Sequence, residues 1–113
     1  MAESGDLLPG TLEVLVLKAL SLEPMHGWGI GNRLDQLSRN ALRVRQGSLY
    51  PALQRLLRKG WIRSEWRTTE SGRRARYYLL TPRGRRQLEA ETEVWRRTAA
   101  AVNGILRTRL AEE

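Results

Sequence analysis

The chain has 113 residues, 41% of them hydrophobic, and no cysteine, so disulfide frameworks and thiol chemistry are excluded and one domain with a modest core is expected. Its net charge of +8 is unevenly spread: residues 1–40 carry three Lys or Arg against five Asp or Glu, residues 41–87 thirteen against two, and residues 88–113 four against five. A basic middle between near-neutral ends is the footprint of a polyanion partner, nucleic acid first. An anionic membrane is the rival partner, but it requires a basic helix with a broad apolar face, which the middle segment lacks. No apolar run approaches spanning length and no leader pattern opens the chain, so a soluble cytoplasmic protein is expected.

Residues 1–7 read as a flexible polar tail. From Pro9, a favoured first-turn residue, Leu12, Leu15, Val16, Ala19 and Leu20 repeat at helical spacing, while Val14 and Leu17 make the other side apolar as well. A helix apolar nearly all round implies burial on two sides, one against its own domain and one, through Leu12, Val14 and Leu17, against a second subunit. Pro24 stops this helix near Glu23. Residues 26–38 read as a second helix with Ile30, Leu34 and Leu37 inward and His26 making a local hydrogen bond at its start. Gly27, Gly29 and Gly31 lack the spacing of a dinucleotide loop and are read as close-packing positions. A lone histidine without cysteines offers no metal site, and no cofactor is expected.

Residues 41–45 alternate and predict a very short strand. Residues 47–60 follow as one helix, with Ser48 as cap, Pro51 in the first turn and Gly60 just past the end. Leu49, Leu53, Leu56 and Leu57 share its apolar face, leaving Ser48, Tyr50, Gln54, Arg55, Arg58 and Lys59 outside. Hydrogen-bonding side chains for base edges and cations for phosphates are what a major-groove recognition helix presents. For an isolated helix, a merely solvated charged face is the plain alternative.

Residues 61–69 and 75–81 are β-prone, and residues 70–74 supply a turn. The tip of this hairpin carries Arg73 and Arg74, with Arg67 and Arg76 on its legs. Like charges in one loop repel, so the cluster has little structural motive; contact with phosphate or a minor groove supplies one. Thr81 and Pro82 open a last helix expected to reach about Ala111. Leu88, Trp95 and Val102 recur every seven residues along it, and Ala99, Ile105 and Leu106 widen the stripe. A small domain cannot cover that much apolar surface, so pairing with a second copy is expected. Asn103 and Gly104 are a local weakness. Glu89, Glu91 and Glu93 solvate the outer face, and no nucleophile elbow, phosphate loop or acid pair points to an enzyme.

The order of elements predicts a mainly α fold with a small β-hairpin: a winged helix-turn-helix over 1–81, its wing at about 61–81, then a dimerisation helix over 82–113. Leu8-Pro-Gly-Thr-Leu12, His26-Gly-Trp-Gly-Ile30, Gly47-Ser-Leu-Tyr-Pro-Ala-Leu53, Gly60-Trp-Ile62, Arg73-Arg-Ala-Arg-Tyr-Tyr78 and Leu80-Thr-Pro-Arg-Gly84 together resemble the PadR-like transcriptional regulators, across residues 7–106 in unbroken order. The resemblance implies a homodimeric, sequence-specific DNA-binding protein, usually a repressor released by a small effector. Carried onto this chain, it has the face from Ser48 to Lys59 reading double-stranded operator DNA, Tyr50 anchoring the backbone, and Arg67, Arg73, Arg74 and Arg76 making the wing contact. The short length looks like the compact branch, some of whose members bind flat aromatic compounds between subunits; Trp28 and Trp95 are the candidate effector residues. Trp28 stands where tyrosine is common in the family. Arg45 replaces a polar or acidic residue before the recognition helix and is expected to add a phosphate contact. The alternatives are a dimeric sensor of planar aromatics, in which ligand binding is the defining activity, and a scaffold that binds DNA without sequence preference.

Overall fold

A computed structural model describes residues 10–111; the expected 1–7 tail and the first-turn Pro9 lie outside the described residues. The chain runs α1 (Thr11–Leu22), β1 (Met25–His26), α2 (Gly27–Leu37), α3 (Gln46–Lys59), β2 (Ile62–Thr68), β3 (Arg74–Leu80) and α4 (Pro82–Leu106). Helix α1 is central, touching α2, α3, α4 and β3. It ends where expected, with Glu23 extended ahead of Pro24. Val16, Leu17, Ala19 and Leu20 meet Ile30 and Leu34 of α2 and Leu49, Leu53 and Leu56 of α3 in one core, closed by Ile62 and Tyr78. Each leucine so enclosed contributes about 1.5–3 kcal/mol. Leu17, expected to face a second subunit, is 1% exposed within the protomer because α1 is surrounded by its own domain. Leu12 and Val14 are partly buried against the same core.

Helix α2 starts as the sequence indicates: His26 Nδ1 accepts the Gly29 N–H at 3.0 Å, which caps the first turn. Leu37, expected inward, is exposed at the helix end. Residues 41–45 form no strand. Arg39 and Asn40 are left-handed and reverse the chain. Asp35 Oδ1 then accepts the Val44 N–H at 3.0 Å, and the Ser38 hydroxyl accepts that of Leu42 at 3.1 Å. The alternation of the segment reflects Leu42 and Val44 turning in while Ala41, Arg43 and Arg45 turn out, with no strand edge to pair with.

Helix α3 begins earlier than Ser48. Arg45 is its cap residue, and the Arg45 carbonyl receives the N–H groups of Ser48 and Leu49, both at 3.0 Å, so Ser48 lies in the first turn and caps nothing. Pro51 therefore sits inside the helix, where its ring leaves the Gly47 carbonyl without the usual i+4 donor. Gly60 closes the helix in the left-handed conformation (φ 76°), as glycine past a helix end should.

Strands β2 and β3 pair antiparallel from Thr68↔Arg74 to Ile62↔Leu80. The two-residue β1 adds to the other side of β3, through Met25↔Tyr78 and His26↔Tyr77, giving a three-stranded sheet where the sequence predicts only a hairpin. Thr81 links the hairpin to α4. Its hydroxyl donates to the Gly60 carbonyl at 2.8 Å and accepts the Gly84 N–H at 3.0 Å. Gly84 is required by a close approach, since a Cβ there would lie 1.9 Å from the Trp61 carbonyl oxygen. Helix α4 continues through Asn103 and Gly104 but ends at Leu106, short of Ala111. Beyond it the Thr108 hydroxyl donates back to the Gly104 carbonyl at 3.0 Å. At about 1.5 Å per residue α4 is about 37 Å long, and only its first turns are enclosed.

Candidate nucleic-acid interface

Opposite the buried Leu49, Ala52, Leu53 and Leu56, helical spacing places Gly47, Pro51, Gln54 and Arg58 along the outermost line of α3. Gly47 and Pro51 have low profiles, which lets the first turns approach a surface closely. Ser48, Arg55 and Lys59 lie along one flank. Arg55 Nε and Lys59 Nζ both donate to the Glu13 carboxylate on α1, the latter at 3.4 Å, and the Lys59 ammonium also stands 4.8 Å over the Trp61 ring. Tyr50 lies on the opposite flank, exposed. It adjoins Tyr78, whose hydroxyl is pushed above its ordinary value by burial, opposed by Arg76 and reinforced by Tyr50.

The pairing of β2 with β3 sorts the wing residues by face. Ser64, Trp66, Thr68, Arg74 and Arg76 share the face of buried Ile62 and Tyr78. Arg76 Nε donates to the Ser64 hydroxyl at 2.9 Å, and the Arg74 guanidinium lies 5.7 Å over the Trp66 ring. Arg63, Glu65, Arg67 and Tyr77 occupy the reverse. There Glu65 accepts from Arg67 at 2.6 Å and Arg63 at 3.1 Å, which holds its carboxyl below the ordinary 4.5, and Arg67 sits 5.4 Å over Tyr77. The structure thus separates Arg67 from Arg74 and Arg76, with which the sequence groups it. Arg73 lies in the exposed turn, where Gly72 is left-handed. Among the described residues, Arg58 and Arg73 have no carboxylate partner. Trp66, 60% exposed beside Arg74, was missed by sequence reasoning, although strand parity alone places it on the face of Arg74 and Arg76.

The two candidate effector tryptophans do not converge within the protomer. Trp28 is 66% exposed and borders a hollow shared with His26 and the wing residues Arg73, Arg74 and Arg76. It lies neither in the helical core nor beside Trp95. Trp95 instead lines a groove of about 770 Å³ between α1 and α4, with Val14, Leu15, Leu88 and Thr92. Leu88 is 9% exposed and belongs to the protomer core, whereas Trp95, Val102, Ile105 and Leu106 stand open and Ala99 is half-buried.

Two helices joined by residues 38–45, the second with a polar outward face, and a hairpin with arginines at its tip define a winged helix-turn-helix of the DNA-binding regulator class. A model of the transcriptional regulator PadR-like family matches residues 16–90, and the chain belongs to that family: it is a DNA-binding transcriptional regulator, not an enzyme. It is 41% identical over 70 residues to a transcriptional regulator of Mycobacterium tuberculosis, a match covering 62% of this chain and 64% of that one. Among solved structures, a PadR-like transcriptional regulator from Bacillus cereus superposes with a TM-score of 0.77 at 28% identity, over 88% of this chain and 95% of that one. A PadR family transcriptional regulator from Eggerthella lenta does so with a TM-score of 0.73 at 31% identity, over 88% and 85%. Among the described residues no helix is long and apolar enough to cross a membrane.

Proposed function

We propose that the protein is a cytoplasmic homodimeric repressor that binds operator DNA through residues 1–81 and dimerises through 82–113. The observation that carries this reading is the contrast along α4: Leu88 is enclosed by the protomer, while Trp95, Val102, Ile105 and Leu106 are left to solvent on a helix about 37 Å long. An apolar stripe of that kind is covered by a second copy, and a two-fold pair sets its recognition helices about one duplex turn apart, ~34–36 Å. Ser48 and Gln54 read bases and Tyr50 anchors the backbone. Arg58, Arg45 and the wing residues Arg73, Arg74 and Arg76 hold phosphate. Selection of bound fragments from a random DNA pool, followed by Gln54→Ala, tests the assignment. The selected sequence should lose about 1–3 kcal/mol of preference at one position. An unenriched pool would show a scaffold without sequence preference.

Effector release is favoured by the groove at Trp95, whose volume falls in the ~300–1,000 Å³ range of small-molecule sites. The ligand is a planar aromatic compound stacking on Trp95; within the protomer Trp28 borders the wing and not this groove. Saturable tryptophan quenching by such compounds, lost in Trp95→Ala, is the expected result; quenching retained in that variant rejects the role.

A further inference from the structure

We infer that Glu13 is a specificity-determining residue of the DNA interface, acting by holding Arg55 and Lys59 away from phosphate. The inference rests on α3 being the recognition helix. Glu13 lies on α1, and no base or phosphate contact is assigned to that helix. Its side chain is only 15% exposed, with Arg55 on one carboxylate oxygen and Lys59 on the other. Those two cations are four residues apart on one flank of α3, so a single carboxylate spans a full turn of the recognition helix. Lys59 is held a second time by the Trp61 ring. The outermost Arg58, by contrast, has no carboxylate partner among the described residues.

The consequence is electrostatic. Three cations crowd the last turn and a half of α3, and any of them could bind phosphate in any sequence. Glu13 neutralises one charge of the flanking pair and fixes both side chains against α1, so sequence-independent attraction is lowered while the outward line of Gln54 and Arg58 keeps its reach. Non-specific binding is supplied almost wholly by cation–phosphate contacts, so a carboxylate at this place raises discrimination at the expense of total affinity.

The test is binding of a short random-sequence duplex, followed by fluorescence anisotropy over a salt series, for the wild type and Glu13→Gln. The neutral isostere should bind several-fold more tightly, with a salt slope steeper by about one to two units, since each added phosphate contact contributes about 0.9. A merely structural role would lower thermal stability and leave the slope alone. Arg55→Gln and Lys59→Gln in the wild type supply a second measurement: each should change random-duplex affinity less than Arg58→Gln does. Equal slopes for wild type and Glu13→Gln, weaker binding by the variant, or losses at Arg55 or Lys59 as large as at Arg58 each overturn the inference. A wild type that fails to bind the duplex at any salt concentration would overturn the recognition-helix reading itself, and the inference with it.

Discussion

The Arg74 guanidinium lies over the indole of Trp66, 5.7 Å from the ring centroid, on the sheet face that continues the protein core toward α3. The stack holds a cation and a flat apolar surface together at the outer part of the wing, on the face that carries Arg76. Exchanging Arg73 and Arg74 together for Ala is expected to weaken binding to every duplex tested and to flatten the salt slope by about two units. Trp66→Ala should also weaken binding without altering the selected sequence. Anisotropy titrations over a salt series read both effects, and an unchanged slope in the double variant would remove the wing from the interface.

Association and folding should separate along α4. Val102→Asp with Ile105→Asp places charges in the open stripe, so the solution mass should fall to that of one chain while the helical signal persists. Leu88→Ala acts on the enclosed part of the helix and should cost about 2–5 kcal/mol of stability, with association retained. Light scattering and denaturant unfolding distinguish the outcomes; a wild-type mass equal to the monomer at micromolar concentration would sink the dimer.

Gly84 is the position where one methyl group should matter most. A Cβ would meet the Trp61 carbonyl oxygen at 1.9 Å and a Leu80 methyl at 2.8 Å; the methyl can swing aside, but the backbone carbonyl cannot yield without moving the chain. Gly84→Ala is expected to lower unfolding stability by about 1–3 kcal/mol or more through forced displacement of α4 from the hairpin. A melting temperature equal to that of the wild type would contradict the close contact.

The carboxyl of Glu65 should titrate below 4.5 because Arg67 and then Arg63 donate to it. A depressed folded value means that the pairing supports the wing above the ordinary carboxylate range and is lost as pH falls through the folded value. Its exposure keeps the effect on global stability small. Carboxyl chemical shifts followed against pH should show the midpoint moving up toward 4.5 in Arg67→Gln; an unmoved midpoint would remove Arg67 as the cause.

Much of the fold was legible without coordinates because it is written in local periods. The leucines of α3, the stop before Pro24, the caps at His26 and Thr81 and the left-handed Gly60 all follow from interactions within a few residues. The basic middle and the arginine-tipped turn likewise point to a polyanion partner from charge alone. What failed did so where distant segments compete for the same chain. Residues 41–45 alternate like a strand, yet Asp35 and Ser38 take their backbone N–H groups. Met25 and His26 become a strand only because β3 lies beside them. Leu17 and Leu88 carry the same apolar signal as Val102, and only the enclosure of α1 and the first turns of α4 by the domain tells interior from open stripe. The sharpest case is Glu13, whose carboxylate reaches two cations more than forty residues away in the chain. The sequence by itself determined the class, a DNA-binding regulator with one helix of polar outer face and one arginine-tipped hairpin, because both are written in local periods and charge. Tertiary structure decided which of its arginines are held by a carboxylate or a ring, because a salt bridge or a ring stack depends on distances that no local pattern encodes.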